Sequence, residues 1–214
     1  MSDFAIEPLG DSCLSVRFPA AIDPEVNARC IDIASAIRSS GLPGIRDVVP
    51  GYHTVAVYFD PLRLPRAELA ESLQILPRGL TPVPGSDPVI VPVRYGGEDG
   101  PDLGAVATYA GCSEADVIDR HSRYEYRVYM LGFLPGFAYM GTVEAGIAMP
   151  RLDSPRLRVP AGSVAIAGAQ TGVYPCDSPG GWRIIGRTAK PIYSPLDAQP
   201  FAFRPGDSVR FVPA

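Results

Sequence analysis

The sequence predicts an α+β chain of two domains: an N-terminal two-layer α/β sandwich followed by a small β-barrel. Three observations predict this. Residues 4–76 carry strand and helix patterns in the order β-β-α-β-β-α. Residues 80–88, L-T-P-V-P-G-S-D-P, break the hydrophobic patterning with three prolines and a glycine, the composition of a linker. Beyond residue 125, short apolar runs recur with turn residues between them, as in a closed or nearly closed barrel. At 214 residues with 46% hydrophobic content, the chain exceeds a typical single domain of about 100–150 residues. The expected domains are 1–83 and 84–214.

In the first domain, residues 4–9 and 13–18 read as strands joined at Gly10-Asp11. Asp23 before Pro24 is an N-cap and first-turn pair. Val26, Cys30, Ile33, Ala34 and Ile37 then recur at helical spacing up to Gly41. Residues 45–49 and 53–59 form a hairpin around Pro50-Gly51, and a second helix is expected over 66–76. The helices should lie on one face of the sheet. In the second domain, Val89–Tyr95 is a strand and 102–110 a short helix. Ser113 and Asp116 make a capping box that opens a helix ending near His121. Strands follow at 125–131, 163–167, 172–174, 182–186 and 208–212.

Composition excludes several functions. The net charge is −4 and no basic block occurs, which argues against nucleic acid. No apolar run approaches the roughly 20 residues of a membrane span, and the N-terminus has no secretory pattern, so a cytoplasmic protein without a membrane partner is expected. Cysteines at 13, 30, 112 and 176 form no C-x-x-C pair, against a zinc knuckle. The only lysine is Lys190, in T-A-K-P, and the remaining 18 basic residues are arginine. A Walker lysine with its glycine loop is therefore missing. Two histidines, His53 and His121, are too few for a multi-histidine metal centre; no metal ligands are expected.

Residues 127–188 concentrate glycine, proline, arginine and aromatics. Glycine permits close backbone approach and proline stiffens loops. Arginine offers a planar fork to an anion, and aromatic rings wall a cavity at low entropic cost. Rigid loops around a small anionic or planar ligand would use all four; a β-domain with tight corners would use the same residues.

The strings G-F-L-P-G-F-A-Y-M-G (132–141), P-R-x-x-S-P-R (150–156), V-P-A-G-S-V-A-I-A-G (159–168) and Y-P-x-x-S-P-G-G-W-x-I-I-G-R-T (174–188) resemble the allophanate hydrolase subunit 1 family. Y-G-G-E-D-G-P-D-L (95–103), R-H-S (120–122) and P-G-D-x-V-R-F (205–211) fit as well. That family includes the B-type component of the bacterial ATP-dependent 5-oxoprolinase and the Kip-type kinase inhibitors. The resemblance implies that the barrel is cyclophilin-like. It also implies work alongside a second cyclophilin-like subunit of C type and an A-type subunit. Substrates of the group are small amides or lactams, and the resemblance implies 5-oxoproline, opened to glutamate, as the one expected for this chain. ATP and Mg2+ would act in the complex, with neither bound tightly by this chain. Inhibition of a sensor histidine kinase, or carboxyl transfer to urea or a related amide, are the alternatives the resemblance carries.

Candidate site residues follow. Gly136 and Tyr139, within Phe133–Phe137 and its sequel, line either a pocket floor or a buried aromatic corner. Arg151, Arg156 and Arg158 share one proline-stiffened loop; Arg151 suits a substrate carboxylate and Arg156 a catalytic role at developing phosphate charge. His121 is the candidate acid or base, with a helix-end histidine satisfying carbonyls as the alternative. Gln170 and Thr171 would hydrogen-bond an amide or simply form a hairpin turn. Ser178, Gly180 and Gly181 would offer a hydroxyl and bare backbone to a ligand. Trp182 could add an indole around the same ligand, with a core anchor as the expected role, and Cys176 stands outside the set.

Overall fold

The structure, a computed structural model, describes residues 4–75 and 87–214. The chain divides into two units, Met1–Gly85 and Ser86–Ala214. The expected boundary at 83/84, most of the linker and the expected last residue of the second helix lie outside the described residues.

In the first unit the elements are β1 (Ala5–Pro8), β2 (Cys13–Arg17), α1 (Pro24–Ser39), β3 (Ile45–Pro50), β4 (Thr54–Phe59) and α2 (Arg66–Gln74). The four strands form an antiparallel sheet in the order β1-β2-β4-β3. Helix α1 starts where expected because the Asp23 carboxylate accepts from the amides of Glu25 and Val26, satisfying two donors that the first turn leaves without partners. Strand alternation sends Val55, Val57 and Phe59 into one cluster with Cys30, Ile33, Ala34 and Ile37 of α1 and Leu69 and Leu73 of α2. Both helices therefore cover the same face, and Tyr58 points outward. His53 falls one residue short of β4, and its carbonyl accepts from Phe18 N.

The second unit begins with β5 (Val89–Tyr95), α3 (Leu103–Ala110) and α4 (Glu114–Ser122). The capping box is present in full, with Ser113 Oγ accepting from Asp116 N and the Asp116 carboxylate accepting from Ser113 N. There follow β6 (Glu125–Leu131), β7 (Ala138–Gly141), a 3-10 turn at Ala145–Ile147, β8 (Arg156–Val159), β9 (Ser163–Ala167), β10 (Gln170–Val173), β11 (Ser178–Gly180), β12 (Arg183–Arg187) and β13 (Ser208–Pro213). Seven strands close a barrel in the order β10-β7-β6-β13-β5-β12-β9, and β11 with β8 forms a separate two-stranded sheet. The β13–β5 pairing is parallel.

Closure fills the barrel with Val91, Val93, Tyr126, Val128, Ile185 and Phe211 among others, and Val106 and Val117 of α3 and α4 join the same cluster. Three strands were not expected from the sequence: β7, β8 and β11. They are three or four residues long, and β11 carries Pro179 inside it. A proline is tolerated there because a two-stranded sheet consists of edges alone. The arginine loop is thus corrected in part: Arg156 and Arg158 lie on β8, and only Arg151 remains in the loop before it.

Candidate functional site

A cavity of about 330 Å3 opens in the second unit between the β6–β7 loop and the β8–β11 sheet. Phe137, 1% exposed, is its hub. Its ring meets Tyr139, Tyr174, Trp182 and Phe133 edge to face, with centroids 5.0, 5.2, 5.3 and 5.6 Å away. Edge-to-face packing places the positive rim of one ring on the negative face of the next. The cluster is therefore oriented as well as apolar.

The local sequence sets up this hub. Between β6 and β7 the chain turns with Gly132 N donating to Phe137 O and Phe137 N to Leu134 O. Gly136 adopts φ +84° and has Tyr193 Cβ only 3.1 Å from where a side chain would begin, so glycine alone suits that corner. Phe133 takes φ 68° despite its side chain, and its ring, largely exposed, stands at the cavity mouth.

On the opposite wall, Gly180 lies against the phenol end of Tyr174. A Cβ there would fall 2.8 Å from two of its ring carbons and nearer still to the hydroxyl. Bare backbone lets the phenol end of Tyr174 approach the strand closely, where its hydroxyl hydrogen-bonds the Trp182 backbone. Burial pushes the phenols of both Tyr139 and Tyr174 upward. Both rings are neutral at physiological pH. Arg151 is the only charged side chain among the described lining residues. The cavity therefore joins an apolar, aromatic-walled interior to a single guanidinium, an arrangement suited to a small anionic ligand.

The expected site residues distribute unevenly. Tyr139, Arg151, Gly180 and Gly181 line this cavity. Gly136 lines a shallower neighbouring depression with Leu131–Pro135 and Phe201. Ser178 is buried on β11, its hydroxyl donating to the Pro179 carbonyl. Gln170 and Thr171 belong to the barrel wall, in register with Ala167 and Ile166 of β9. Arg156 is committed elsewhere: its Nη2 donates to Asp102 Oδ1 at 2.7 Å.

His121 is the largest correction. It is 0% exposed inside the barrel, between Tyr126 and Phe211, with Nδ1 2.8 Å from the Tyr95 hydroxyl and Nε2 2.8 Å from Thr171 Oγ1. Burial lowers its pKa to about 3. The ring has no path to a solute, which removes the acid–base role expected for it. Helical periodicity placed it near a helix end but gave no sign of which face turned inward.

Two aromatic side chains of the lining, Trp182 and Tyr174, were not assigned to the site from the sequence. Trp182, expected as a core anchor, is half-buried and lines the cavity, edge-on to both Phe137 and Tyr139. Tyr174 completes the box. The signal for both was their place in one motif, with the paired glycines between them freeing a wall for rings. Among the described residues no group of three or more His, Cys, Asp and Glu side chains could hold a metal ion, and no helix is long and apolar enough to cross a membrane.

Residues 4–203 match the family model described as carboxyltransferase domain, subdomain C and D. The chain is 40% identical to the B-type component of 5-oxoprolinase from Bacillus subtilis (strain 168), over 98% of this chain and 92% of that protein. Among solved structures, TTHA0988 superposes with a TM-score of 0.87 at 42% identity, over 94% of this chain. This chain spans only 40% of TTHA0988. Kluyveromyces lactis urea carboxylase matches 99% of this chain with a TM-score of 0.79 at 18% identity, over 22% of its own length. That last likeness speaks to the fold alone, and it agrees with a cyclophilin-like barrel.

Proposed function

Because this chain belongs to the family of carboxyltransferase-domain subdomains C and D, we propose that it is the B-type component of an ATP-dependent 5-oxoprolinase, holding 5-oxoproline while partner chains complete the reaction. The observation that carries this reading is the aromatic cavity closed on one side by Arg151. The substrate is a five-membered lactam bearing one carboxylate. Its apolar ring edge suits the rims of Phe137, Tyr139 and Trp182, and its carboxylate suits a two-pronged guanidinium. Bare backbone at Gly181 leaves room for the lactam to lie against the main chain. The cavity is roomy enough for such a ligand.

The described residues give no positive sign of a magnesium-nucleotide site. No acidic or histidine cluster offers ligands among those described, and Lys190 lacks the glycine loop that cradles phosphates. We assign nucleotide binding to the A-type and C-type partners. This chain then binds, orients and partly dehydrates the substrate, positioning that lowers the barrier for chemistry supplied elsewhere. A relative at 40% identity is named as one component of a multi-chain enzyme, which supports an assembly of several chains.

The test is reconstitution. Co-expressed with a second cyclophilin-like subunit and an A-type subunit, the protein should convert 5-oxoproline to glutamate only with ATP present. Alone it should bind 5-oxoproline without turnover. Turnover by the isolated chain, or full activity of the partners without it, overturns the proposal.

A further inference from the structure

Arg156 does not touch the cavity, yet three segments around it meet at its guanidinium. It opens β8 and stands in register with Gly180 of β11, so its backbone carries the sheet that forms one wall. Its Nη2 donates to Asp102 Oδ1 at 2.7 Å, and its Nη1 reaches the Trp182 carbonyl at 3.5 Å. Asp102 occupies the N-cap position of α3 but makes no side-chain cap there. It turns instead toward β12, where its Oδ2 accepts from Ile184 N at 2.6 Å and its own amide donates to Ile184 O at 2.9 Å. One carboxylate thus grips the main chain two residues after Trp182 with one oxygen, and holds the guanidinium of the β8–β11 sheet with the other.

Burial separates this ion pair from the rest. The Asp102 side chain is 9% exposed, whereas every other described acidic partner is at least 22% exposed. A charge so withdrawn from water is tolerated only with its partners in place, so the geometry admits little slack. The β8–β11 sheet lies outside the barrel ladder and carries a register irregularity between Ser178 and Gly180. Val159 and Tyr174 pack beside Phe137 in one buried cluster, and the Asp102–Arg156 link adds the polar tie from this sheet to β12 and the start of α3.

We propose that Asp102 and Arg156 are positioning residues: their ion pair sets the orientation of the Trp182–Gly180 wall against Phe137, and thereby the affinity of the cavity for its small cyclic carboxylate. The ligand half of this statement rests on the function proposed above. The wall-positioning half does not.

Trp182 is the only tryptophan of the chain, so its fluorescence reports the wall directly. The variants Asp102→Asn, Arg156→Gln and the double variant are made in the full chain, with Arg156→Lys as the conservative change that keeps the charge but cannot fork between Asp102 and the Trp182 carbonyl. Folding is checked by circular dichroism and thermal melting. Folded single variants should show red-shifted emission, greater acrylamide quenching and on the order of tenfold weaker binding of 5-oxoproline. In the reconstituted complex KM should rise with kcat unchanged, and the neutral double variant should recover part of the emission. Unaltered Trp182 emission in a folded variant overturns the proposal; if the other variants do not fold, Arg156→Lys alone decides it. Weakened binding with wild-type emission also overturns it, because Arg156 would then contact the ligand itself. Shifted emission with no 5-oxoproline binding by the wild-type chain would leave the positioning role standing and overturn only the proposed substrate.

Discussion

Nε2 of His121 lies 2.8 Å from Thr171 Oγ1, and that hydroxyl donates its own hydrogen to the Ala165 carbonyl at 3.1 Å. The hydroxyl can therefore only accept from the ring, which assigns the proton to Nε2 and makes Nδ1 the acceptor for the Tyr95 hydroxyl. Both ring nitrogens are satisfied by the neutral form, and protonation would force the Tyr95 bond to reverse and place a charge inside an apolar barrel.

This arrangement predicts acid sensitivity with a defined window. The folded pKa of His121 is about 3, against about 6.5 in an unfolded chain. Between those values the unfolded state binds the extra proton, so stability is full above about pH 6.5 and falls as pH drops toward 3, by up to about 1.4 kcal/mol per pH unit. Carboxylates held low by arginines, such as Asp99 and Glu144, add their share only at lower pH. Denaturant unfolding at pH 7, 6 and 5 should show the loss in the wild type and a much flatter profile for His121→Gln.

Arg151 is exposed and lines the cavity mouth. Arg151→Ala should leave the melting temperature nearly unchanged, as surface substitutions do, while weakening 5-oxoproline binding about tenfold or more. Arg151→Lys should recover only part of that loss, because an ammonium cannot pair in two prongs. Titration followed by Trp182 fluorescence measures all three proteins. Equal affinities would remove the anion role.

Gly180→Ala places a methyl group into the ring of Tyr174. Overpacking of this kind costs about 1–3 kcal/mol. It should also disturb the bond between the Tyr174 hydroxyl and the Trp182 backbone. The double variant Gly180→Ala with Tyr174→Phe removes the closest clashing atom and should restore part of the stability. A simple sum of the two single effects, measured by chemical denaturation, contradicts the contact.

In the first unit, Asp23→Ala deletes both side-chain bonds to the start of α1 and should cost about 1 kcal/mol of stability. Asp23→Asn or Asp23→Ser should restore most of it. Ligand binding, measured in parallel, should not change.

Some of this protein could be read along the chain because the responsible interactions are local. A carboxylate before Pro24 caps a helix wherever that helix ends up, alternating Val55, Val57 and Phe59 mark one face of a strand, and Ser113 with Asp116 closes its own box three residues away. Short strands bracketed by turn residues pointed to a barrel for the same reason. The four-residue β8 and three-residue β11 escaped notice because neither has enough pattern of its own; each is a strand only by pairing with the other across the intervening β9–β10 hairpin.

The chemistry of the candidate site followed a similar division. The residue types it needs, namely aromatic rings, paired glycines and an arginine, were visible as a composition confined to one stretch. Their roles were not. Arg151 and Arg156 are close neighbours in one short segment, yet one faces the cavity and the other is bound to Asp102, 54 positions earlier. His121 looks like a candidate acid or base until barrel closure seals it among Tyr126 and Phe211. Local order governs helix starts, strand faces and turns, since these depend on neighbours a few bonds away. Which charge remains in water and which is buried against a partner depends on contacts between distant segments, and those exist only once the chain has folded.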